Sequence, residues 1–73
     1  MTITQCKMAR AGLGWSAGDL AEKARLTRET VARFEGGAKL SDASVAALRN
    51  ALQAAGADFL QISGKVGVAV PEA

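Results

Sequence analysis

A mainly α fold, four helices followed by a short C-terminal β-hairpin or strand, is predicted by three features of the sequence. Four segments carry apolar residues at three- and four-residue spacing behind a serine or threonine placed to cap a helix. Glycines stand where the third and fourth of these segments run out, and glycine readily takes the left-handed conformation that ends a helix. Beyond Gly56 the apolar period changes from helical to alternating. The chain therefore divides into a helical domain over residues 1–56 and a β-element over residues 57–73.

The elements follow in order. Thr2 or Thr4 caps a first helix running to Arg10 or Ala11, with Ile3, Cys6, Ala9 and Leu13 towards the core. Ser16, with Asp19 three residues on, resembles a capping box, so a second helix starts near Ala17 and turns Leu20, Ala21 and Ala24 inward. Thr27 is the next good cap and leaves only Arg25 and Leu26 for a turn. A third helix from Arg28 buries Val31 and Phe34 and stops at Gly36 and Gly37. Two helices joined by so short a turn cross steeply, which is helix-turn-helix geometry. Ser41-Asp42 caps a fourth helix, where Val45, Leu48, Leu52 and Ala55 form the inner face and Gly56 ends it. Residues 58–62 and 66–70 alternate as strands, Ser63-Gly64-Lys65 joins them, and Pro71 closes the second.

The third helix suggests the chemistry. Its outer face carries Arg28, Glu29, Ala32 and Arg33, and an arginine in the first turn opposes the helix macrodipole. Local stability does not account for that arginine; an external anion does. With this end of the helix in a major groove, Arg28 and Arg33 can each make bidentate contacts to guanine and Glu29 can accept from a cytosine amine. Thr27 reaches a phosphate or a thymine methyl group. The expected base contacts are thus Thr27, Arg28, Glu29 and Arg33, and the expected phosphate contacts are Ser16, Arg25, Thr30 and Lys39.

Over residues 3–60 the chain resembles the Cro/CI-type helix-turn-helix family of bacterial and phage regulators, the XRE family. The resemblance rests on Leu13-Gly14-Trp15-Ser16, Leu20-Ala21-Glu22-Lys23-Ala24 and Thr27-Arg28-Glu29-Thr30-Val31-Ala32-Arg33-Phe34-Glu35-Gly36. It implies that Ala21, Val31 and Phe34 pack the two crossing helices together. It also implies that Arg10 and Glu35 pair beneath the DNA-facing surface, where breaking the pair from one side is costly. Two positions depart from the family. Ala17 stands where glutamine usually braces the recognition helix against a phosphate, and Arg25 stands where the turn usually has glycine. An arginine there can reach the phosphate that Ala17 cannot.

Composition bounds the function. A lone core in a chain of 73 residues is marginal, so a second copy is expected to reinforce it. Its apolar fraction of 49% includes many alanines, which pack closely and bury modest area. The net charge of +2 is mild, but four basic residues against two acidic ones lie between Arg25 and Lys39, as a local phosphate-facing surface requires. The single Cys6 excludes an intrachain disulfide and reads as a small core residue ahead of a redox-sensing thiol. Histidine is absent, and with it the usual general base and metal ligand, so no enzyme, metal, cofactor or small-molecule ligand is expected. No leader or membrane span is apparent, which predicts a cytoplasmic protein associated with the nucleoid when bound to DNA. RNA is a weaker partner, because Trp15, Phe34 and Phe59 offer no stacking platform.

The hairpin supplies the second copy's contact. Val66, Val68 and Val70 would leave an exposed apolar stripe, to be covered by the fourth helix of the same chain or by a partner chain, with the partner, or both together, preferred. With Phe59, Leu60 and Ile62 they form the expected homodimer element. A two-fold dimer reads an inverted repeat, and with no room for a sensor domain the simplest action is a repressor's, occluding the promoter of its own gene or of phage-like genes. The competing reading is an antitoxin-type or other protein-interaction module that binds DNA secondarily.

Overall fold

Every helix begins where a side-chain oxygen can take up an orphan N–H. In the computed structural model, which describes residues 1–72, α1 spans Ile3–Gly12, α2 Ala17–Ala24, α3 Arg28–Glu35 and α4 Asp42–Ala54. Strands β1 (Asp58–Ile62) and β2 (Lys65–Ala69) form one two-stranded antiparallel sheet. Ala73, the last residue of the β-element expected over residues 57–73, lies outside the described residues. Thr2 caps α1 because Gln5 completes a reciprocal box: the Thr2 hydroxyl accepts from the Gln5 N–H at 3.0 Å while Gln5 Oε1 accepts from the Thr2 N–H at 3.0 Å. Thr4 has no such partner three residues on. Ser16 with Asp19 makes the second such box, and Thr27 and Ser41 accept from the N–H groups of Thr30 and Ser44.

Helix ends share one device. The N–H groups of Trp15, Leu26, Ala38 and Ala57 reach back five residues to the carbonyls of Arg10, Ala21, Arg33 and Leu52, at 2.9 to 3.1 Å. Each closure places the residue before it in a left-handed conformation, at Gly14, Arg25, Gly37 and Gly56. α1 therefore continues to Gly12, past the Arg10 or Ala11 boundary expected, because Gly14 provides its turn.

The core is one cluster drawn from every helix. Cys6 and Ala9, Leu20 and Ala21, Val31 and Phe34, and Leu48 and Leu52 are buried together, joined by Ala57. Small residues at 9 and 21 let neighbouring helices approach closely.

The hairpin differs from expectation in register and in cover. Its turn is two residues, Ser63-Gly64, both at positive φ, a form whose twist matches that of the flanking strands. Lys65 consequently pairs with Ile62, and β2 runs Lys65–Ala69 in place of residues 66–70. The valine stripe is not left open either. Val66, Val68 and Val70 are half-buried, Val68 and Val70 pack against the helical core, and β2 lies against α1 rather than α4. Val70 sits over Gly12, where a Cβ would come within 3.0 Å of it, and Pro71 sits over Gly56, where a Cβ would come within 2.6 Å. One buried polar side chain, Gln5, ties α1 to both strands, its Nε2 donating to the Leu60 carbonyl at 3.1 Å and the Gly67 carbonyl at 3.2 Å. Among the described residues no helix is long and apolar enough to cross a membrane.

Candidate nucleic-acid interface

The site is built on α2 and α3, which pack on one another across the three residues Arg25, Leu26 and Thr27. Leu20 and Ala21 of α2 and Val31 and Phe34 of α3 take the buried side of this pair, so the polar residues between them must face outward. Arg28, Glu29 and Arg33 are exposed, and with Arg25 and Lys39 they make no side-chain hydrogen bond or ion pair among the described residues. The stem of Arg28 passes near Gly18. Its Cδ lies 3.8 Å from where a Cβ would stand on Gly18, and Ser16 Oγ lies 3.6 Å from the same point. A Cβ at position 18 would make ordinary van der Waals contact with both side chains.

Of the hydroxyls on this face, the Thr27–Thr30 pair retains a donor for an outside acceptor. Ser16 Oγ accepts from the Asp19 N–H at 3.0 Å, and its own O–H is turned to the Asp19 carboxylate. Thr27 and Thr30 share one hydrogen bond at 2.7 Å, so one of their two hydroxyl hydrogens is left over. Asp19 accepts from the Ser16 N–H at 2.9 Å, and this bond, followed by that to the Ser16 side chain, holds its carboxyl below the usual carboxylate range. Arg25 keeps the left-handed backbone, at φ 57° and ψ 41°, that the other three helix ends give to glycine. Lys39 is exposed in the loop that follows α3.

Behind this face, α3 is fastened to α1. Arg10 and Glu35 meet in a bidentate pair, Nε to Oε2 at 3.0 Å and Nη2 to Oε1 at 2.9 Å, with 24% and 9% of their side chains exposed. Arg10 Nη1 also donates to the Trp15 carbonyl at 3.2 Å. Its hydrogen bonds to Glu35 raise the guanidinium pKa further, so Arg10 stays charged. Cys6 donates to the same carboxylate, Sγ to Oε2 at 3.5 Å. Burial first, and then the Glu35 charge, push its thiol up to about 12. A reactive thiolate is therefore excluded at neutral pH.

The six residues expected to form one dimer surface divide between the two faces of the hairpin. Phe59 stands opposite Val68 and, with Val66 and Val70, turns towards the helices. Leu60 and Ile62 turn away, 41% and 64% exposed. Gln5 is the structural residue that the apolar pattern alone passes over. Its signal is Thr2-x-x-Gln5, a capping-box spacing one step before a buried position. No cluster of histidine, cysteine, aspartate or glutamate able to hold a metal occurs among the described residues. No protein-family model and no curated protein matches the chain.

Proposed function

We propose that this chain is a sequence-specific double-stranded DNA-binding regulator of the Cro/CI helix-turn-helix type, with α3 as the recognition helix in the major groove. The observation that carries the reading is the set of unpaired side chains Arg28, Glu29 and Arg33 on the outer face of a helix crossed by α2 and fastened from behind by Arg10 and Glu35. An eight-residue helix is about 12 Å long and reads only a few base pairs. Thr27, Arg28, Glu29 and Arg33 contact bases. Ser16, Arg25, Thr30 and Lys39 contact phosphates and set the register. Two copies read half-sites about 34 Å apart, and occupancy of such an inverted repeat blocks a promoter, as a cytoplasmic repressor of its own gene or of phage-like genes would.

Selection of duplexes from a randomised pool tests this. An inverted repeat should emerge, and Arg28→Ala or Arg33→Ala should each lose roughly 1–3 kcal/mol and discrimination at particular positions. Lys39→Ala should weaken all duplexes alike and flatten the salt dependence by about one unit of slope. Failure to enrich any sequence ends the reading.

A further inference from the structure

One buried nucleophile has no part in DNA contact. Cys6 has no exposed surface, yet its sulfur turns towards the Arg10–Glu35 ion pair and not wholly into the apolar core. It precedes Arg10 by four residues on α1, so both side chains leave the same face of that helix and converge on the end of α3. The two hold the carboxylate differently. Arg10 reaches Glu35 on a long stem, and a planar fork of two bonds can swing as a unit when that stem changes rotamer. Cys6 has a single χ angle and a short reach, and its bond ends on Oε2, the oxygen that Arg10 Nε also holds. The thiol thereby ties Glu35 to the α1 backbone. Its high pKa keeps the proton on sulfur, so it remains a donor at neutral pH.

We propose that Cys6 is a positioning residue, whose thiol is the third donor to Glu35 and fixes how the C-terminal end of α3 seats on α1. This rests on the reading of α3 as the DNA-recognition helix. A small core filler would predict that volume alone matters at position 6. A third donor predicts that hydrogen-bonding capacity matters.

Cys6→Ala and Cys6→Ser separate the two, measured against the tightest duplex that the wild-type protein selects from a randomised pool. The alanine variant should bind about five-fold more weakly, the size of one lost hydrogen bond. The serine variant, which can still donate, should bind within about two-fold of wild type although both variants lose thermal stability. Solvent exchange of the Arg10 Nε–H, followed by 15N NMR without DNA, should quicken in Cys6→Ala and return towards wild type in Cys6→Ser. Wild-type affinity and unchanged exchange in Cys6→Ala overturn the proposal, as does a serine variant that falls with the alanine one. A wild-type protein that selects no duplex defeats the DNA reading instead, while the exchange rates still decide whether Cys6 holds Glu35.

Discussion

Arg25 holds a backbone conformation that penalises it. A left-handed φ of 57° brings Cβ against the following carbonyl, at about 1 kcal/mol or somewhat more for a residue that is not glycine. The three other helix ends of the same construction use Gly14, Gly37 and Gly56. Strain that persists at one of four equivalent places points to a side chain needed there. Arg25→Gly is accordingly expected to raise the melting temperature by several degrees, since about 1 kcal/mol shifts a domain of this size by roughly 4–8 °C. The same variant should bind DNA more weakly and with a flatter salt slope; a stabilised protein with unchanged binding would leave the arginine without that role. Arg10→Met leaves the Glu35 carboxylate nearly buried and held by Cys6 alone, which should destabilise the fold by about 3 kcal/mol in denaturant titration. Asp19 sets an acid limit on α2. Its carboxyl pKa is depressed in the folded state, so its stabilisation is complete above the ordinary carboxylate value near 4 and is lost as pH falls through the lower folded value. Asp19→Asn should therefore remove part of the loss of helicity seen by circular dichroism on titration below pH 4.

At the scale of the elements, what could be read in advance was what depends on neighbours in sequence. The caps at Ser16, Thr27 and Ser41 each need only a hydroxyl and an N–H three residues on, and the inward faces of α2 to α4 follow from period alone. Of the candidate site, the exposed outer face of α3 follows in the same way, whereas the meeting of Arg10 with Glu35 across the fold is legible only through the family resemblance. Other distant contacts leave no such trace. Gly12 carries no helix-stopping signal that its sequence context explains; Val70 lies against it from the far end of the chain, where a Cβ would be tight. The hairpin register turned on whether Lys65 belongs to the turn or the strand, which Ile62 across the sheet decides. Gln5 combines both cases, capping α1 locally while its Nε2 reaches residues 55 and 62 positions away. Gln5→Ala therefore strips a cap and both strand contacts at once. Amide exchange in β1 and β2 should accelerate more than exchange in α2 and α3, and uniform acceleration would mean that Gln5 stabilises the fold without fastening the hairpin in particular.

At the scale of the whole molecule, the hairpin is part of the core and a surface beyond it. Ala57 is buried with the helical cluster, Val68 and Val70 pack on it, and Pro71 covers Gly56, so the segment after α4 is not a detachable arm. Its outer face is another matter, because the side chains of Leu60 and Ile62 stand in solvent on a two-stranded sheet that has no partner layer. If two copies associate through the hairpin, that face is what they have to offer, and the valines first expected there are already engaged. Two alterations separate core from interface. Cutting the chain after Gly56 should remove enough of the core to unfold the helices, which circular dichroism would register as a lost cooperative transition. Replacing Leu60 and Ile62 together by glutamate should leave the helical signal intact and convert dimers to monomers in sedimentation equilibrium, because it charges an exposed face without touching the core. The charged variant should then bind a two-half-site duplex no better than a single half-site, since the effective concentration that joins the two readings is gone. Dimers that survive both glutamates would move the interface away from the hairpin and onto the helices.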